Sequence, residues 1–380
     1  MDIVLAPLAT DITCAPSTAV GQGGALIEAR SDREAITRWL IEYRHSPATF
    51  RHYRKEAERF VLWLEFRGLS LDALRRHHLD EFEQFLTNPL PSSHWTGPTR
   101  PRHHPRWRPF RSGLAPASRR QSLVILQGLC GWLKEAGWVT HNPFALMRDR
   151  RRRLDNAAPP VIERYFEREW WCAMWKLLDP PVEDAPQRSR FLIARRRFLF
   201  GFAYLMAPRI AEISRARMND FRLEEGQWWW HVVGKGNKVA RLPVPDDMMT
   251  LLREWRAELG LSDMPPPHDD SPVLRALDRR RGVTDNQLYR VFKDGFSMLS
   301  DALIARNWSQ DHPLIEQLRR ATPHWLRHTS LTHQAQSGIE LRYLAMNARH
   351  ARLETTARYL HAENDEWQRQ QARHRLSRIE

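Results

Sequence analysis

From Ser31 onward, apolar side chains recur three and four positions apart, the spacing that lines one face of an amphipathic helix. Ser31 and Glu34 form a helix-opening pair, and the helix they open carries Trp39, Leu40 and Tyr43. Pro47 starts a second helix in which Tyr53, Ala57, Phe60 and Leu64 make one stripe, and Gly68 ends it. A short third helix is predicted from Leu79 to Leu86. Ser118 caps a fourth, with Leu123, Leu126, Cys130 and Leu133 facing inward and Gly137 as the stop. Far downstream, Phe198 to Met206 is strongly apolar, as in a helix buried within a core. The period then shortens to two. Trp228 to Val233 and Val239 to Val244 alternate like the strands of a hairpin, joined by Gly234-Lys235-Gly236-Asn237-Lys238. Residues 245–321 are mostly helical, with Pro265-Pro266-Pro267 as a surface loop and a helix from Gln287 to Leu303. The pattern predicts a mainly α chain with a small β-hairpin, an α+β fold.

Three stretches break this pattern. Residues 1–30 are rich in Ala, Thr, Gly and Pro without clear periodicity, and read as a poorly ordered arm. Asn88 to Ala115 is an insert between the third and fourth helices. Its centre, Arg100 to Arg111, mixes arginines, prolines and aromatics at a density that opposes regular helix or ladder. Arg148 to Arg153 opens a basic linker that runs to Pro160. The chain of 380 residues therefore divides into an arm, a helical domain over 31–147, a linker over 148–160, a second domain over 161–360 and a tail over 361–380.

Composition sharpens the picture in one direction. Lys and Arg total 59 against 45 acidic residues, a net charge of +14, which favours a polyanionic partner and most simply nucleic acid. Loops as long and charged as the insert are uncommon without a role, so Arg100, Arg102, Arg106, Arg108 and Arg111 are candidate phosphate contacts. Arg119, Arg120, Arg151, Arg152, Arg290 and Lys293 join them as further DNA-contact candidates. The three cysteines show no metal spacing and no disulfide framework, and Cys130 and Cys172 sit in apolar surroundings that suggest core. No signal peptide and no bilayer-spanning run is apparent, so a cytoplasmic, nucleoid-associated bacterial protein without membrane contact is expected.

The chemistry gathers near the C-terminus. His324 and Arg327 lie three apart in a helical stretch and can aim at one target. Arginine suits a phosphate, because its planar fork presents paired donors and stays charged. His350 and then Tyr359 follow, the latter a hydroxyl that needs a neighbour to remove its proton or stabilise its anion. Arg209, early in a helix that follows the apolar Phe198 to Met206 run, adds a second candidate anion binder. The two histidines, Arg327 and the tyrosine together suggest attack on a phosphodiester.

The order His324-x-x-Arg327-His328-Thr329, then His350, then Thr355-Thr356-x-x-Tyr359 resembles the tyrosine recombinases of the phage integrase family. That family usually reads Gly-x-x-Leu-Arg-x-x-x-x-Leu-Gly-His, which Gly338, Leu341, Arg342 and His350 fit, while Ala348 and Arg349 stand in place of Leu-Gly. Its first arginine falls in Gly-Leu-Arg-x-x-Glu-Leu, matched here at Arg209 and Glu212, with Ala207-Pro208 for Gly-Leu. The resemblance implies a helical core-binding domain followed by a catalytic domain, and a hairpin lysine in catalysis, which maps to Lys235, with Lys238 as the alternative. It further implies that Tyr359 forms a 3′-phosphotyrosyl link while Arg209 and Arg327 hold the phosphate and Lys235 protonates the leaving oxygen. His324 would assist proton transfer at the tyrosine and His350 would bond the phosphate. His328 and Trp325 read as packing or supporting residues rather than as chemistry. Because the covalent link conserves the bond energy, no cofactor or metal is expected. The implied partners are a double-stranded DNA recombination site and further copies of the chain in a DNA-bound tetramer. Two rival functions fit parts of the pattern: DNA relaxation by a type IB topoisomerase, and a non-catalytic DNA-binding regulator on the same fold.

Overall fold

The computed structural model describes residues 7–8, 25–147, 164–234, 239–350, 355–356 and 359. The chain divides into two compact units, Met1–Ala158 and Pro159–Glu380. The predicted linker over 148–160 and tail over 361–380 lie outside the described residues.

In the first unit, α1 (Asp32–Ile41) opens at Ser31, whose Oγ accepts the Glu34 N–H at 3.3 Å. Helix α2 (Pro47–Arg67) begins on Pro47 and stops at Gly68, which takes φ 65°, a left-handed geometry that glycine adopts without steric cost. Helix α3 (Arg76–Thr87) extends the predicted third helix at its start. Helix α5 (Pro116–Glu135) begins before Ser118, because Pro116 lacks only an N–H that the first turn would leave unbonded. Trp39, Phe60, Phe82, Leu126 and Leu133 are fully buried together between these helices. Each such side chain contributes about 1.5–3 kcal/mol through removal from water.

The insert is not a solvated loop. Its helical turn α4 (Ser92–Trp95) and the segment ending at Phe110 pack back on the bundle, with Trp95 and Phe110 buried at 4.8 and 5.5 Å from the Phe85 ring. The aromatics that interleave its arginines explain this, since they have more to gain from the core than from water. The expected loose arm is likewise anchored where it is described. Leu8 is buried and its N–H donates to Glu58 at 2.8 Å, while the Leu26 N–H donates to Ala136 O at 2.8 Å.

The second unit is built on α7 (Gln187–Leu205), whose Phe198, Leu199, Phe200 and Phe202 are all buried. Around it pack α6 (Arg168–Trp175), α9 (Asp246–Glu258), α10 (Asp285–Ile304), α11 (Pro313–Arg320) and α12 (Pro323–Gln336). In α6, Trp171 and Met174 take the inward face, which leaves Cys172 exposed, against the sequence expectation. Cys130 is buried as expected, and burial pushes its thiol pKa up to about 12.

The predicted hairpin is present as β2 (Gln227–Val233) and β3 (Val239–Pro243), with Trp230 paired to Leu242. A further strand, β1 (Phe221–Glu224), pairs antiparallel with β2 and makes a three-stranded sheet. It is too short to show an alternating pattern. Its turn, Glu225-Gly226, has φ 51° and 76°, the paired left-handed geometry of a tight hairpin.

Candidate active site

Arg209 is placed by the short helix α8 (Ile210–Arg215), for which it serves as N-cap. The sequence predicts Pro208 in the first turn, but the helix begins after Arg209, because Glu212 reaches back to accept the Arg209 backbone N–H at 2.7 Å. The same carboxylate accepts from Arg209 Nη1 at 2.9 Å, so the guanidinium is held yet 31% exposed. Just before it, Ala207 takes φ 45°, where the family pattern has glycine.

Helix α12 brings His324, Arg327 and His328 to the same wall, as one turn of spacing requires. Arg327 is 2% exposed and donates to two backbone carbonyls, Ala207 O and Ala348 O. His324 and His328 meet edge-on with ring centroids 4.3 Å apart. Beyond α12, Gly338 at φ 84° turns the chain into α13 (Leu341–Ala348). That helix ends on Arg349 at φ 52°, ψ 45°. The turn that a Leu-Gly pair makes in the family pattern is therefore kept by Ala348-Arg349.

Tyr359 is 3% exposed, packed among Ala207, Leu331, Leu344 and Ala348. Its hydroxyl lies 2.8 Å from His328 Nδ1. The sequence assigns His328 to a packing or supporting place and proton transfer to His324; in the fold it is His328 that contacts the Tyr359 hydroxyl. Its ring centroid is 5.7 Å from that of Tyr359, and the His350 ring lies nearly parallel to the tyrosine at 6.2 Å. The signal that could have found His328 is its place one helical turn beyond His324. Trp325 is buried in the core, as the sequence predicts.

His350 Nε2 lies 3.4 Å from Arg327 Nη2, and its Nδ1 lies 3.0 Å from Thr356 Oγ1. Arginine can only donate, so Nε2 accepts and the ring proton sits on Nδ1, directed at the threonine. Burial, then the Arg327 and Arg209 charges, lowers the His350 pKa to about 4, so the ring is neutral at neutral pH. His324 is solvent-accessible but backed by protein; that desolvation, then Arg327 and Arg209, lowers its pKa as well. Arg327 is lowered to about 9 by burial, then by Arg349 and Arg209, and stays charged. Burial pushes the Glu212 carboxyl up, but Arg349 and Arg209 outweigh it and hold the pKa below the usual carboxylate value. The cluster is a concentrated positive field beside a phenol, arranged to receive one anionic group.

Lys235, Arg151 and Arg152 lie outside the described residues. The other DNA-contact candidates fall into two groups. Arg100, Arg106, Arg111, Arg120 and Arg290 are exposed. The rest have structural partners. Arg102 is ion-paired with the buried Glu58 and also donates to Leu8 O at 3.2 Å. Arg108 donates to Ser93 O and Trp107 O, and Arg119 to Leu114 O. Lys293 Nζ closes the end of α11 by donating to Arg319 O and Ala321 O, each at 3.0 Å.

Residues 184–366 match the model of the phage integrase family. The chain is 24% identical over 338 residues to the tyrosine recombinase XerC of Escherichia coli O1:K1 / APEC, covering 88% of this chain and 93% of that protein. Among solved structures, the XerH site-specific recombinase bound to its difH substrate in a pre-cleavage complex aligns with TM-score 0.58 at 17% identity, over 91% of this chain and 85% of that one. The Tn1549 transposon integrase in complex with transposon right end DNA aligns with TM-score 0.61 at 13% identity, over 90% and 99%. These likenesses establish the fold, a mainly helical unit pair with a small antiparallel sheet.

Proposed function

We propose, for a chain that belongs to the tyrosine recombinases of the phage integrase family, that it cleaves and rejoins DNA at a specific site through Tyr359. The Tyr359 oxygen attacks the scissile phosphorus and forms the Tyr–O–P bond as the P–O5′ bond breaks. The phenolic proton passes to His328, the ring already in contact with the hydroxyl. Arg209 and Arg327 face the non-bridging oxygens and stabilise the charge that grows on them in the transition state. An anion there also offsets the mutual repulsion of these arginines. As it arrives, it raises the His350 pKa, and a protonated Nε2 then donates to the phosphate. Lys235, on the hairpin turn, supplies a proton to the departing 5′-oxygen. Rejoining runs the same steps backwards with a new 5′-hydroxyl, so bond energy is conserved throughout.

The observation that carries this reading is the Tyr359–His328 contact beside a buried Arg327. A non-catalytic regulator would have no use for a tyrosine so placed. The named relatives are recombinases, which favours partner exchange over the relaxation of a type IB topoisomerase. Assembly as a DNA-bound tetramer, service to a mobile element and location at the nucleoid belong to the same proposal. A nicked suicide duplex should trap a denaturant-resistant adduct, with the 3′-phosphate on the peptide that contains Tyr359. An adduct mapped to another residue would overturn the assignment.

A further inference from the structure

Arg349 takes no part in the steps above, yet its side chain is 5% exposed and saturated with acceptors. It bonds Glu212 Oε2 at 2.8 Å and Oε1 at 3.3 Å, and donates to Ala207 O at 2.7 Å and Asn347 O at 2.9 Å. Its guanidinium also lies 5.8 Å from the centroid of the Trp230 ring on β2, within range of the ring's negative face. The residue holds this position in left-handed backbone, at φ 52°, which a long side chain rarely adopts. Only a network that over-determines the geometry keeps it there.

Two departures from the family pattern meet at this point. Ala207 and Arg349 each occupy a position where that pattern has glycine, and both keep positive φ. They are bonded to each other, since the Arg349 guanidinium donates to Ala207 O. The same carbonyl accepts from Arg327. The carboxylate of Glu212 is shared in the same way: Oε1 takes Arg209 Nη1 at 2.9 Å and Oε2 takes the Arg209 backbone at 2.7 Å, alongside both Arg349 bonds. With Arg349 absent, Glu212 would face Arg209 alone, and the resulting closed ion pair would compete with a phosphate for that guanidinium.

We propose that Arg349 is a positioning residue that shares the Glu212 charge and ties the Ala207–Arg209 segment to the end of α13, so that the partly exposed Arg209 stays open and the buried Arg327 stays aligned for the scissile phosphate. This rests on the recombinase reading of the site. It predicts that the arginine acts on the rate of cleavage rather than on DNA affinity, because its own side chain is buried and meets only protein acceptors.

The test is single-turnover cleavage of a nicked suicide duplex by the full chain and by Arg349→Gly, Arg349→Lys and Glu212→Gln. Arg349→Gly suits the left-handed backbone, and it should cleave roughly 10- to 100-fold more slowly with affinity within about threefold of the parent. The acid limb of its rate profile should move to higher pH, since Glu212 loses the cation that holds its pKa down. Arg349→Lys, with charge but no fork, should fall between the two. Adding Glu212→Gln to Arg349→Gly should slow cleavage by much less than the product of the single effects. Parent-rate cleavage by Arg349→Gly, or an unmoved acid limb, would sink the inference alone. If Arg349→Gly fails to fold, the lysine variant decides the matter, and cleavage by it at the parent rate refutes the need for the fork. No adduct with the parent chain would sink the recombinase reading and this inference with it.

Discussion

Between Asn88 and Ala115 the first unit turns Arg100, Arg106 and Arg111 out to solvent, whereas the second unit turns Arg327 and Arg349 inward onto one carboxylate and a few carbonyls. The two regions use the same side chain for different physical ends. An exposed guanidinium is free to meet any phosphate that passes within reach, and its effect is screened by salt. A buried one is costly to desolvate and is kept only where hydrogen bonds fix its orientation, so it can serve a single phosphate in a single geometry. The first arrangement favours affinity and the second favours rate. Arg102 and Arg59 qualify the contrast from within the first unit. Arg102 closes on Glu58, while Arg59 pairs with Glu56 at 3.0 Å and lies 4.4 Å over the Phe110 ring, so both are structural.

The sharpest cut through this comparison is at Tyr359, the proposed nucleophile. Tyr359→Phe removes only the hydroxyl and should abolish the denaturant-stable adduct while a gel-shift affinity stays at the parent value. Arg209→Ala and Arg327→Ala come next, each slowing single-turnover cleavage by roughly 10² to 10³, as for loss of a donor to a developing oxyanion. Near-parent cleavage would remove that arginine from the site. His328→Ala should slow cleavage by about 10² through loss of the proton acceptor, and by more than His324→Ala does. The reverse order would return the role to His324.

Smaller effects test the outward arginines. Replacing Arg100, Arg106 and Arg111 by Ala should lower the slope of log affinity against log salt by about 0.9 for each phosphate that is no longer neutralised. Cleavage at saturating DNA should not change. Arg102→Ala should instead lower the melting temperature, because it strands the buried Glu58 carboxylate.

The smallest effect separates the units by pH. His350 and His333 both titrate at about 4 in the folded chain, against an ordinary value of 6.5, each lowered first by burial and next by a nearby arginine. Within that window the unfolded chain binds more protons than the folded one, so stability should fall as pH drops from 6.5 towards 4 and be flat above it. Thermal melting across this range checks the sign, and destabilisation on raising pH through it would contradict the burial of both rings. Both histidines lie in the second unit, so the first unit should respond less.

By itself the sequence determined what depends on neighbours along the chain. Caps and stops such as Ser31, Pro47 and Gly68 act within a single turn, and the alternation in Trp228 to Val233 needs only the pleat of one strand. The spacing of His324, Arg327, His350 and Tyr359 carried the family resemblance for the same reason, since each motif is local. What only the tertiary structure decided is which of several equivalent side chains closes a long-range contact. His324 and His328 share one helical wall, and nothing in their spacing says which ring meets a tyrosine far along the chain. Charge alone did not show that Arg102 and Lys293 are occupied by Glu58 and by the end of α11. Nor did it show that an arginine in place of a glycine finds its partner in Glu212. A sequence carries charge and periodicity residue by residue, whereas pairing and desolvation depend on distances that exist only once the chain has closed on itself.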